Sequence, residues 1–132
     1  MSVFLDTSAA YAFLVGTDAA HQDVARAFRD VLEGGRELVT TNYVVVETTA
    51  LLQHRVGLEA VRAFHDRVLP LARLVFIEPA LHRRAYLRLM RADRRGLSLV
   101  DCSSFEVMEA EGLRDALAVD ADFEGEGFAI LV

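Results

Sequence analysis

The 132-residue chain is predicted to fold as one α/β domain spanning residues 1–132, a three-layer α/β/α sandwich around a mostly parallel five-stranded sheet. Three observations predict it. Short apolar runs alternate with longer segments whose apolar residues recur every three or four positions, the pattern of strands alternating with helices. The run Leu74-Val75-Phe76-Ile77 lacks polar alternation, as expected of a strand covered on both faces. Acidic residues stand just past other short apolar runs, where the carboxyl ends of parallel strands gather ligands and chemistry.

The elements follow in order. Val3-Phe4-Leu5 has the length and composition of a buried strand, and Asp6 stands where it ends. Residues 9–15 form an apolar helix closed by Gly16-Thr17, and Asp18 caps the next one. That next helix carries Val24, Ala27, Phe28, Val31 and Leu32 as one stripe and stops at Gly34-Gly35. Leu38-Val39-Thr40 is a second strand. Thr41 or Asn42 then caps a helix through Val44, Val45, Thr48, Leu51 and Leu52, which Gly57 ends. Residues 58–69 form a further helix, stopped by Pro70 before the strand at Leu74-Val75-Phe76-Ile77. Pro79 opens a helix running to Gly96, and a helix from Leu97 continues through Phe105, Val107 and Met108 to Gly112. Leu117-Ala118-Val119 is a short strand ending at Asp120, and Phe128-Ala129-Ile130-Leu131 supplies an edge strand.

Composition limits the class. A hydrophobic fraction of 53% provides a full core, yet no apolar run approaches the roughly eighteen residues a membrane span needs. No basic segment leads into a long apolar one, so no signal peptide is expected. Cys102 is the only cysteine and has no partner for an internal disulfide, which fits a reducing cytoplasm. The net charge of −6 is opposite to that of most phosphate-binding proteins, so bridging cations or a local basic face must attract any polyanion. One basic face is in view: Arg83, Arg84, Arg88, Arg91, Arg94 and Arg95 fall in one segment, either tracking a backbone of phosphates or forming a solvated helix face.

Four acids carry the functional argument, each with a bland alternative. Asp6, in Asp6-Thr7-Ser8, is placed either as a helix N-cap or at a sheet-edge site. Glu47 lies within an apolar helix, near its buried face, where a lone carboxylate needs an arginine or a cation. Asp101 falls in the first turn of its helix, where the helix dipole alone favours a carboxylate. Asp120 follows a strand, with Asp122 two residues on. The α/β topology brings all four to one sheet edge, where unpaired carboxylates repel. Mg²⁺ and Mn²⁺ prefer oxygen ligands and relieve that repulsion. The four histidines are scattered, no glycine-rich phosphate loop is present, and neither Ser8 nor Ser103 has a nearby histidine to activate it. Acid clusters holding one or two Mg²⁺ suit phosphodiester hydrolysis.

The chain resembles the PIN domain through Asp6-Thr7-Ser8, Thr41 with Glu47, Leu99-Val100-Asp101, and Ala118-Val119-Asp120-Ala121-Asp122-Phe123. More narrowly, it is similar to the toxin nucleases of bacterial VapBC toxin–antitoxin pairs. The resemblance implies a Mg²⁺- or Mn²⁺-dependent ribonuclease with Asp6, Glu47, Asp101 and Asp120 as its acidic quartet. It further implies Ser8 orienting Asp6, a cognate antitoxin as partner, and a homodimer. Asp122 is taken as a turn cap or outer-sphere acid, because Asp120 directly follows the expected strand. Ala118 stands where such domains often carry a threonine. A PIN-like nuclease outside toxin–antitoxin systems and a non-catalytic interaction domain are the rival classes. An Asp-nucleophile phosphatase would need an Asp-x-Asp pair that Thr7-Ser8 does not supply.

Overall fold

The computed structural model describes residues 1–132, and its centre is the strand β1 (Ser2–Leu5). To one side of β1 lie β2 (Glu37–Thr41) and then β3 (Ala72–Val75); to the other lie β4 (Asp115–Leu117) and then β5 (Ala129–Ile130). All four pairings are parallel, in the order β3-β2-β1-β4-β5. Side chains alternate across β1, so Val3 and Leu5 enter one core and Phe4 the other. The first core is completed by α1 (Thr7–Leu14), α2 (His21–Glu33) and the region after α3 (Asn42–Arg55). There α4 (Leu58–Ala63) runs on through a π turn over Phe64–Val68 and a 3-10 turn over Leu69–Leu71. The second core packs Phe4 and Val39 against α5 (Pro79–Ala92), α6 (Leu99–Glu111) and α7 (Asp122–Gly125), with Phe105 and Phe123 edge to face at 5.0 Å. The three-layer α/β/α sandwich of the sequence reading is the fold, and its sheet is parallel throughout.

Several boundaries differ from expectation, each for a reason of pairing. The apolar run at residues 74–77 is not a strand covered on both faces. The strand is Ala72–Val75, at the sheet edge, and Phe76 beyond it is 67% exposed. Val75 pairs with Thr41, the last residue of β2, so Phe76 and Ile77 have no strand left to pair with. The strand expected over Leu117-Ala118-Val119 is Asp115–Leu117, because β1 offers no partner beyond Leu5. Asp120 therefore lies three residues past the strand, not directly after it. The last edge strand is Ala129–Ile130. Asp18 caps a turn by accepting from the Ala20 N–H at 2.9 Å, and Ala20 is the residue flanking α2. The helix α5 ends at Ala92 because Asp93 turns left-handed, at φ 50°. Thr41, not Asn42, caps α3 through the Val44 N–H at 3.1 Å.

The arginine cluster is largely structural. Arg88 is only 15% exposed in its side chain and binds Glu106 at 2.7 Å, Glu109 at 2.9 Å and Glu126 at 2.6 Å. Burial opposes its charge, yet the hydrogen bonds to Glu109, Glu126 and Glu106 outweigh burial and raise its pKa further. Arg88 therefore does not track a nucleic-acid backbone. It joins α5, α6 and the turn after α7. Arg84 also leans on Glu106, at 3.4 Å, while Arg83, Arg91 and Arg95 have no ion-pair partner. Replacing Arg88 with alanine leaves three carboxylates facing one another, and should lower the unfolding free energy by about 3 kcal/mol in urea titration. An unchanged urea midpoint would show that the network contributes nothing to stability.

Candidate active site

The carboxyl ends of β1 and β4 form the point where the chain leaves the sheet in opposite directions, the position where open parallel sheets bind ligands. Asp6 stands at the end of β1. Its extended backbone (φ −92°, ψ 157°) makes it the N-cap of α1, and its Oδ2 accepts from the Ser8 N–H at 3.1 Å and the Ser8 hydroxyl at 2.6 Å. The same Ser8 Oγ accepts from the Val119 N–H at 3.0 Å, tying the segment after β4 to the acid after β1. Asp6 is 4% exposed. Burial pushes its carboxyl up to about 6, against the lowering effect of the Ser8 bonds and with added repulsion from Asp101 and Glu47.

Glu47 reaches the same edge from α3. Next to it, the buried Thr48 donates to the Thr7 hydroxyl at 2.9 Å, locking α3 against the start of α1. Asp101 occupies the third position of α6 in a capping box: Ser98 Oγ accepts from the Asp101 N–H at 2.9 Å, and Asp101 Oδ2 accepts from the Ser98 N–H at 3.2 Å. Burial raises the Asp101 pKa, and the charges of Asp120 and Glu47 raise it further. Asp6 thus caps α1 and Asp101 completes the capping box of α6, and both carry charges that interact at one edge of the sheet. The two readings of each residue were never exclusive.

Carboxylate oxygens of Asp101, Asp120 and Asp122 lie within 4.8 Å of one another. Asp6 and Glu47 stand outside that triplet, yet the charge of Glu47 adds to the rise at Asp101, and the charges of Asp101 and Glu47 add to the rise at Asp6. Asp122 belongs to the triplet, which its sequence assignment as an outer acid did not anticipate. The turn cap is Asp120, whose Oδ1 accepts from the Asp122 N–H at 3.0 Å, while Asp122 opens α7 and faces Arg94 at 3.4 Å. The donor set is all oxygen, with no histidine or cysteine, and its members hold each other's charge under strain. Such a set fits a hard divalent cation. The pairing of Arg94 with Asp122 and the Thr7–Thr48 lock escaped the sequence reading; a threonine beside Glu47 was the one available signal for the lock.

A parallel α/β sandwich with a strained carboxylate group at its strand switch defines a class of metal-dependent phosphodiester hydrolases. The PIN domain family matches residues 3–125, and the chain belongs to that family. As a PIN domain it is a metal-dependent nuclease. Among characterised proteins it is 35% identical over 127 residues to the 23S rRNA-specific endonuclease VapC20 of Mycobacterium tuberculosis, covering 96% of this chain and 95% of that one. The crystal structure of M. tuberculosis VapC20, described as a sarcin–ricin loop cleaving toxin, superposes with a TM-score of 0.86 at 32% identity over 96% of both chains. FitAcB from Neisseria gonorrhoeae shares the fold, with a TM-score of 0.69 at 16% identity over 98% of this chain and 96% of that one. No helix is long and apolar enough to cross a membrane.

Proposed function

We propose that the chain is a Mg²⁺- or Mn²⁺-dependent endoribonuclease, the toxin of a toxin–antitoxin pair in the cytoplasm, acting on a structured loop of ribosomal RNA. The observation that carries this reading is the acid triplet Asp101, Asp120 and Asp122 at the strand switch, with the buried Asp6 and the half-buried Glu47 beside it. The likeness to VapC20 supports the RNA substrate and the antitoxin.

In this reading Asp6, Glu47, Asp101 and Asp120 hold the cation, with Asp122 next to it. When bound, the cation supplies Lewis acidity that activates water and stabilises the leaving oxygen. The chain's own residues do the positioning. Ser8 fixes the Asp6 carboxylate and, through Val119, the loop that bears Asp120. The capping box fixes Asp101 on a rigid helix end. Arg94 offers the nearest cationic side chain to Asp122. All 14 basic residues are arginines, whose planar forks suit phosphate, and they offset a chain that is otherwise acidic.

The test is cleavage of a ribosomal-RNA loop oligonucleotide with and without Mg²⁺. Wild type should cut it with Mg²⁺ and leave it intact in EDTA, and Asp6→Asn should be inactive in both. Cleavage that persists in EDTA, or in the variant, would sink the reading.

Two surfaces suit the partners. An apolar groove of about 540 Å³ between α2 and the turn after α4, lined by Phe13, Phe28, Leu32, Val68 and Leu71 with Arg29 and Arg67 at its rim, is where we place the antitoxin. The apolar surplus of the α3–α4 region, exposed at Val56 and Leu58, supports a homodimer. Light scattering at high micromolar concentration should give twice the monomer mass, and a monomer there would rule the dimer out.

A further inference from the structure

Beside the acid group, α3, α5 and the start of α6 enclose an open cleft of about 480 Å³. Val46, Leu99 and Val100 supply its apolar walls, Tyr43 and His82 stand together on its α3 and α5 sides, and Glu47 lies on the side it shares with the acids. Val46 is 68% exposed, an apolar side chain left in the open next to a polar site. The Tyr43 hydroxyl and His82 Nδ1 are hydrogen-bonded, with the rings edge to face at 5.7 Å. That contact fixes both rings and leaves His82 Nε2 free for a ligand. Asn42 lines the same cleft, and its Oδ1 already accepts from the Ile77 N–H at 2.7 Å. Its amino group has no partner in the chain, and an amino group can only donate.

The chemistry of this lining selects its occupant. No arginine lines the cleft and Glu47 does, so a phosphate would meet a carboxylate and no cation. A neutral, flat group fits apolar walls with hydrogen-bonding groups at one end, which is how unpaired RNA bases are held. Leu99 and Val100 directly precede Asp101, so a nucleotide whose phosphate lies at the acids has a neighbouring base at the cleft.

We propose that this cleft is a base-binding subsite for the nucleotide flanking the scissile phosphate, with Asn42 and the Tyr43–His82 pair favouring guanine or uracil, which present a carbonyl where adenine and cytosine present an amino group. The inference rests on the ribonuclease reading and names the specificity of that site.

The test uses the full-length protein, Mg²⁺ and short RNAs that differ only in the two bases flanking the mapped cleavage position. Wild type should cut RNAs with guanine or uracil at one of those positions about 10-fold better in kcat/KM than those with adenine or cytosine, the size of one well-made hydrogen bond. Asn42→Asp keeps an acceptor for the Ile77 N–H and removes the donor, so it should reduce that ratio to about 2-fold or less. Tyr43→Phe should narrow it as well. Val46→Ser, at an exposed position that cannot unfold the chain, should raise KM more than it lowers kcat. A ratio unchanged in Asn42→Asp and Tyr43→Phe overturns the subsite. An unchanged ratio together with a halved mass for Val46→Ser assigns the cleft to a second copy of the chain instead. Failure of wild type to cut any of the RNAs defeats the ribonuclease reading itself, which separates the two failures.

Discussion

Asp6→Asn is expected to cost more than about 100-fold in RNA cleavage and, in the same protein without metal, to raise the melting temperature. The two effects share one cause. Asp6 is buried against Asp101 and Glu47, and its carboxyl titrates near 6 instead of 3.8. The folded state therefore holds that proton more tightly than the unfolded chain does. The associated stability is complete below the unfolded value of 3.8 and is lost as pH rises through about 6. At neutral pH the buried charge is a debit of about 2–3 kcal/mol, from a shift of roughly two units at ~1.4 kcal/mol each. Asparagine keeps an oxygen for the Ser8 N–H and hydroxyl and removes the charge. The metal-free variant should melt higher than wild type by on the order of 5–10 °C at pH 7.5, and by much less at pH 4. Millimolar Mn²⁺ should raise the wild-type melting temperature by mass action and the variant's by less. If the variant melts no higher at pH 7.5 and responds to Mn²⁺ as fully as wild type, Asp6 is a cap and no more.

The layered architecture was legible because it depends on what a sequence states locally. Apolar runs alternate with amphipathic segments, and Gly112 and Thr41 stop and start helices through their own backbone and side-chain geometry. Strand ends were less legible, because a strand ends where its neighbour ends. Nothing in Leu74-Val75-Phe76-Ile77 reveals that β2 stops at Thr41, and nothing in Leu117-Ala118-Val119 reveals that β1 stops at Leu5. The exposure of the edge strand β3 is likewise a property of sheet order, which is non-local.

The acidic residues were legible one by one, and their gathering followed from topology. Their mutual roles were not. That Asp120, not Asp122, caps the turn depends on a four-residue helix, α7, too short to announce itself by periodicity. The arginine segment misled for a related reason. Helical spacing put Arg88 on a face with its neighbours, but the acids that neutralise it come from α6 and the turn after α7, distant in sequence.

Asp120→Asn should reduce cleavage by about 100-fold and Asp122→Asn by about 10-fold or less, the range spanned by ligand and supporting positions at metal sites. Placement at the end of a strand no longer argues for this order, since both residues lie beyond Leu117. Electrostatic coupling does. Asp101, fixed by its capping box, carries a pKa raised by burial and then by Asp120 and Glu47, so Asp120 is the neighbour whose charge it feels. Asp122, though within the same 4.8 Å group, faces Arg94 at 3.4 Å and has a counter-ion of its own. A cation competes with Arg94 for Asp122 but has no rival at Asp120. Arg94→Ala should then tighten Mn²⁺ binding measured by calorimetry while Asp122→Asn barely weakens it, and Asp120→Asn should weaken it most. If Asp122→Asn abolishes cleavage and Asp120→Asn is tolerated, α7 carries the ligand, and Asp120 serves only to hold the turn that presents it.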